Sequence, residues 1–133
     1  MKLHGYWRSN ATYRVRVALN LKGISFDEVE YDLLEGHQFD PAFLALNPNA
    51  AVPALEVDGR VMTQSFAILD YLDTLSGGPR LLPVDPFDRA DALALALNTI
   101  ADAHPLIVPR IRKRLAEVHG VDEGGVKGWA RHW

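Results

Sequence analysis

Ser9, Asn10 and Thr12 stand where an extended segment gives way to a helical pattern. Side chains at a helix entrance sit among backbone N–H groups that have no partner inside the helix, at the positive end of its dipole. Such a place suits an anion, and a hydroxyl donor beside a thiolate lowers the thiol pKa. The chain has no cysteine, so any thiol handled there arrives on a ligand. Asn10 or Thr12 would serve equally as an ordinary N-cap. A second anion-friendly place is Gln64-Ser65, where a hairpin ends and another helix begins. Ser65 can cap that helix while its exposed N–H groups receive a carboxylate. Arg8, Arg14, Arg16 and Arg110 are candidate carboxylate clamps, since a guanidinium meets a carboxylate through parallel hydrogen bonds. Arginines on helices also serve as solvated or structurally paired groups. His4, His37, His104, His119 and His132 have no metal-ligand spacing, and no metal site is expected.

The elements that must position these residues follow from periodicity. Lys2–Tyr6 reads as a short extended segment, in which Gly5 suggests a close backbone approach. Val15, Ala18, Leu19 and Lys22 recur at helical spacing from Thr12, and Gly23 supplies a stop. Phe26–Leu33 reads as a strand. Asp40-Pro41 fits an N-cap with proline at the first helical position, opening a short helix to Leu46. Asp58-Gly59 between two β-prone runs predicts a type I′ hairpin. Ser65–Leu75 is helical, ended by Gly77-Gly78. The order β-α-β-α-β-β-α is that of a thioredoxin-like domain, with a right-handed βαβ crossover and a covering helix.

Composition then shifts. A Gly- and Pro-rich linker leads to Asp85-Pro86, which opens a long Ala- and Leu-rich helix through Ala103 that Pro105 and Pro109 disturb. A basic helix follows to Gly120. Asp122–Gly128 reads as a loop, and Trp129–Trp133 as the start of another helix. The expected divisions are 1–78, a linker 79–86, and a partial all-helical domain 87–133.

Composition excludes some functions. Of 133 residues, 48% are hydrophobic and 23% charged, an ordinary soluble balance. The formal charge of −3 offers no footing for nucleic acid or an anionic membrane surface. No contiguous apolar run approaches a membrane span, and a cytoplasmic location is expected.

Four blocks in register then resemble the zeta-class glutathione transferases, the family of maleylacetoacetate and maleylpyruvate isomerases. Ser9-Asn10-Ala11-Thr12-Tyr13-Arg14-Val15-Arg16-Val17-Ala18-Leu19 is similar to its Ser-Ser-x-x-x-Arg-Val-Arg signature. Leu46-Asn47-Pro48 with Val52-Pro53-Ala54-Leu55, then Thr63-Gln64-Ser65-Phe66-Ala67-Ile68-Leu69, then Leu81-Leu82-Pro83 follow in order, and His104-Pro105 matches beyond them. The resemblance implies a thioredoxin-like glutathione-binding domain followed by the start of an all-α domain. It implies a cis Val52-Pro53 bond, which leaves the Val52 backbone facing the cysteinyl part of glutathione. Gln64 and Ser65 would take the γ-glutamyl end, Gln38 the glycine end, and His104 would border the glutathione site. Ser9 and Asn10 would stabilise the thiolate, and Arg8 and Arg110 would hold substrate carboxylates.

The implied function is glutathione-dependent cis–trans isomerisation of a maleyl-type keto acid by reversible thiolate addition, in a homodimer. A conjugating glutathione transferase and a non-catalytic interaction module are the alternatives. Asn10 replaces the signature's second serine, and Ile107 and Val108 replace paired asparagines, which removes polar contacts near glutathione. Trp129 and Trp133, at i and i+4 on one helix face with no stop signal after them, carry the expectation of a longer helical domain.

Overall fold

Leu3 and Leu55 face each other across two neighbouring strands, and both are fully buried beneath a pair of helices. The computed structural model describes Met1–Trp133 and divides into two compact units, Met1–Leu81 and Leu82–Trp133. In the first unit the order is β1 (Lys2–Gly5), α1 (Asn10–Leu21), β2 (Asp27–Glu30), α2 (Pro41–Leu46), β3 (Ala54–Val57), β4 (Arg60–Thr63) and α3 (Ser65–Thr74). The sheet runs β2-β1-β3-β4, with β1 parallel to β2 and antiparallel to β3. This is the expected thioredoxin-like arrangement.

Strand alternation assigns the faces. Leu3 and Leu55 join Val15, Ala18 and Leu19 of α1 and Ile68 and Leu72 of α3 in one cluster. Each large member contributes about 1.5–3 kcal/mol by leaving water. His4 and Glu56 point the other way, where the His4 ring lies 3.2 Å from the Tyr31 hydroxyl and 3.3 Å from Glu56 Oε2. Tyr31 packs on Phe43 of α2 with ring centroids 4.4 Å apart. Burial, and then the charge of Asp40, raises the Tyr31 pKa.

Local signals explain the boundaries. Gly23 (φ 66°) ends α1 in a Schellman motif, with its N–H on Asn20 O and that of Ile24 on Leu19 O. Buried Lys22 donates from Nζ to Leu75 O at 2.8 Å, joining the ends of α1 and α3. Asp58 and Gly59 both have positive φ (49° and 77°), as a type I′ turn requires. β2 is shorter than Phe26–Leu33, because the chain beyond Tyr31 turns into a bend held by Asp32 Oδ1 on the Leu34 N–H.

The second unit is all-helical. Asp85 caps α4 (Pro86–Leu97), its side chain accepting from Phe87 N at 2.9 Å and Asp88 N at 3.1 Å. A π-helical stretch, Asn98–Ala103, leads into α5 (His104–Ile107). Val108 is extended ahead of Pro109, and α6 (Pro109–Glu117) follows.

Asp122–Gly128 is not a loop: α7 spans Glu123–His132 despite three glycines, each costing about 1 kcal/mol relative to alanine. The Asp122 side chain accepts from Gly125 N at 2.7 Å, Glu123 pairs with Lys127 at 2.6 Å, and the Trp129 indole donates to Leu106 O at 2.7 Å. Trp129 thus packs back on α5, while Trp133 keeps 46% exposure. The helical stretch Pro86–Glu117 has 32 residues and an 18-residue window of mean hydropathy 1.3, enough by length and composition to cross a membrane. Polar residues scattered through it keep any contiguous apolar run short.

Thr12 controls how closely α1 meets β1. It is fully buried, its Oγ1 accepts the Tyr6 N–H at 3.4 Å, and a Cβ on Gly5 would collide with its methyl group. Gly5→Ala should therefore destabilise the chain by about 1–3 kcal/mol through overpacking. In a Thr12→Ser background, which lacks the methyl, the same change should cost under about 1 kcal/mol. Urea unfolding followed by circular dichroism measures both. Equal costs in the two backgrounds would show that the contact does not constrain the fold.

Candidate functional site

Three breaks in the chain fall at one edge of the first unit's sheet. β1 ends at Gly5, and its antiparallel neighbour β3 begins at Ala54, opposite His4. Ala54 also pairs with Thr63, the last residue of β4. Tyr6–Asn10, Val52-Pro53 and Gln64-Ser65 therefore leave or enter the sheet at the same edge. β2 runs parallel to β1, so the segment after it, including Gln38, departs from that edge too. The N-termini of α1 and α3 are both there.

Ser9 is the N-cap of α1, its Oγ accepting from Thr12 N at 3.2 Å. This corrects the assignment to Asn10 or Thr12: Asn10 is already helical and exposed, and Thr12 is spent inside on Tyr6. Capping uses a lone pair of Ser9, so the hydroxyl proton is left to donate. Arg8 is exposed, with its guanidinium 5.4 Å from the centroid of the exposed Trp7 ring.

Val52-Pro53 is cis, as the resemblance implied. The loop before it is built on Asn47, buried at 3% exposure. Asn47 Nδ2 donates to Ala51 O at 2.6 Å, and its Oδ1 accepts from Asn49 N at 3.1 Å. In the sequence Asn47 stands within a family motif with no role attached. An asparagine at a helix end and directly before a proline is its local signal, since asparagine bonds its own backbone two residues on.

Ser65 does not cap α3. Gln64 occupies that position with φ 68° and ψ 110°, a positive-φ conformation of the strained kind that collects at functional sites. Ser65 is the first helical residue, 6% exposed, and its Oγ accepts from Arg14 Nη1 at 3.2 Å. Burial lowers the Arg14 pKa. Arg16, the next candidate clamp, is engaged by Glu28 through two hydrogen bonds, and that bonding raises its pKa. Gln38 lies in a 3₁₀ turn, His37–Phe39, and its buried Oε1 has no hydrogen-bond partner.

The edge thus brings together Arg8, Ser9, Asn10, Val52, Gln64 and Ser65, with Gln38 on a loop leaving it. His104 and Arg110 belong to the second unit, at the start of α5 and in the first turn of α6. No group of three or more His, Asp or Glu side chains is arranged to hold a metal ion.

The sequence matches the family described as glutathione S-transferase, N-terminal domain, over residues 1–74, more than half of the chain. The chain belongs to that family. Within it, the resemblance is to the zeta class and its maleyl-acid isomerases. Maleylacetoacetate isomerase of Pseudomonas aeruginosa is 42% identical over all of this chain and 64% of its own length. The crystal structure of maleylacetoacetate isomerase from Methylobacterium extorquens AM1, with bound malonate and GSH, is 50% identical with a TM-score of 0.95. That match covers 99% of this chain and 62% of the other. The holo structure of a maleylpyruvate isomerase, a bacterial zeta-class enzyme, is 38% identical with a TM-score of 0.96, covering 100% and 63%. The chain spans less than two thirds of the length of each of these proteins.

Asn47→Ala removes the buried side chain whose amide donates to and accepts from a half-exposed loop. It should destabilise the chain by about 1–3 kcal/mol, the worth of two lost hydrogen bonds. Denaturation midpoints check this, and an unchanged midpoint would show that Asn47 does not hold the loop.

Proposed function

We propose that this protein binds glutathione at the edge of its first unit's sheet and uses it to isomerise a maleyl-type keto acid, maleylacetoacetate or maleylpyruvate, from cis to trans. The observation that carries the reading is the convergence of two helix N-termini and the Val52 backbone at that edge, from distant parts of a cysteine-free chain. Malonate and GSH in the Methylobacterium relative support both ligand classes, a small dicarboxylate and glutathione.

The residues present fit glutathione. Ser9 and Asn10 at the entrance to α1 suit a thiolate. Gln64, Ser65 and the first N–H groups of α3 suit the γ-glutamyl carboxylate. The Val52 backbone suits the cysteinyl peptide. The orphaned Oε1 of Gln38 suits an N–H donor toward the glycine end, since buried acceptors without partners are uncommon. When bound, glutathione supplies a thiol able to add to the conjugated double bond and leave it again.

The chain's own residues do the remainder. Ser9 donates its uncommitted hydroxyl proton to the sulfur anion, and the α1 dipole adds to that stabilisation. Arg8, resting on Trp7, takes a substrate carboxylate, and the resemblance assigns another to Arg110 and a place bordering glutathione to His104. A cytoplasmic setting, where glutathione maintains the thiol poise, and a homodimer belong to the same reading. The apolar surface of Pro86–Glu117 is then a protein-contact surface and not a lipid one.

Calorimetric titration should show glutathione binding by the 133-residue chain, and Gln64→Ala with Ser65→Ala should abolish it. Ser9→Gly keeps an acceptable N-cap but removes the hydroxyl. It should lower isomerase turnover by about tenfold to a thousandfold, the range for losing a donor to a reacting anion. Undiminished binding by the Gln64/Ser65 variant would overturn the site. Stoichiometric consumption of glutathione without trans product would replace isomerisation with conjugation.

A further inference from the structure

Arg14 is the one arginine of the α1 signature that has no carboxylate partner in the fold and no task in the proposed chemistry. It lies one helical turn after Asn10, half-buried, and reaches across to the first residue of α3, with Nη1 3.2 Å from Ser65 Oγ. Arg16, two residues on, is neutralised by Glu28. Arg14 instead meets a serine hydroxyl, and burial lowers its pKa. A cation drawn partly out of water beside a hydroxyl and a free helix N-terminus is unfavourable until an anion joins it.

Ser65 explains why that anion belongs here. Its Oγ is almost fully buried and already accepts from Arg14, so its own proton remains the group it can offer. Ser65, Phe66 and Ala67 head α3, and their N–H groups have no intrahelical acceptor. The Gln64 backbone at φ 68° sets the angle at which the chain enters this turn.

We propose that Arg14 is a positioning residue for the γ-glutamyl α-carboxylate of glutathione: by holding Ser65 Oγ from the α1 side, it directs the Ser65 hydroxyl proton and the first turn of α3 toward that carboxylate. The proposal rests on the glutathione reading above and gives it a carboxylate-specific component that neither serine supplies alone. Arg14 need not touch the ligand; it acts through Ser65.

The test is calorimetry on the 133-residue chain with glutathione and with an analogue lacking only the γ-glutamyl α-carboxylate. Arg14→Met should weaken glutathione binding about tenfold to a hundredfold, the range for a lost hydrogen bond to a charged group, and leave the analogue within about threefold of the parent. Arg14→Lys, which restores a donor and a charge, should return the glutathione affinity to within about threefold. In a Ser65→Ala background, Arg14→Met should cost under about threefold, because the relay is already broken. Equal weakening of both ligands by Arg14→Met, or no rescue by lysine, would overturn the proposal and leave a structural arginine. Full retention of glutathione affinity by Arg14→Met would overturn it while the glutathione reading stood. Failure of the parent chain to bind glutathione would sink both.

Discussion

The contact between Gly5 and Thr12 is the constraint on which the first unit depends. The methyl group of Thr12 occupies the space that a side chain at position 5 would need, and its hydroxyl takes the first N–H beyond β1. Together they fix where α1 starts relative to the end of β1. Without that close approach Ser9 would not cap the helix at the sheet edge. The α1 dipole would then not open beside the Val52-Pro53 turn and the head of α3. The anion-friendly edge is a product of backbone placement first and of side-chain chemistry second.

Packing carries this placement through the unit. α1 and α3 share one apolar cluster against Leu3 and Leu55, so the two helices are registered to the same strands. At one end Lys22 ties them through Leu75 O, and at the other Arg14 ties them through Ser65. Polar links at both ends of a helix pair resist sliding in a way that nondirectional apolar burial does not. At the site end, the link involves the residue whose hydroxyl is proposed to meet the ligand.

Much of this was legible in the residues. Asp58-Gly59 predicts its turn because few other pairs accept positive φ twice, and the Val15, Ala18, Leu19, Lys22 spacing predicts the buried face of α1. The cis geometry at Pro53 came only from the family resemblance, since a lone Val-Pro carries no local signature of it. The caps were misplaced by one to three residues: Ser9, Asn10 and Thr12 are all good capping types, and only three-dimensional geometry chooses among them. The cap of α3 falls on Gln64 and not on Ser65, because Gln64 takes a backbone angle that glutamine seldom adopts. The glycines of α7 argued for a loop, and a cap, an ion pair and the Trp129 indole outweighed them. In the sequence Arg14 is one candidate clamp among four, because nothing linear shows which helical arginine meets a carboxylate and which meets a buried serine.

The central claim is that one edge of the thioredoxin-like sheet is a glutathione site assembled from three distant segments. Amide chemical-shift mapping of the isotopically labelled chain during a glutathione titration tests it most directly. The largest shifts should fall on Ser9–Thr12, on Val52 and on Ser65–Ala67, saturating together with one dissociation constant. Shifts absent from those segments, or confined to Leu82–Trp133, would contradict it.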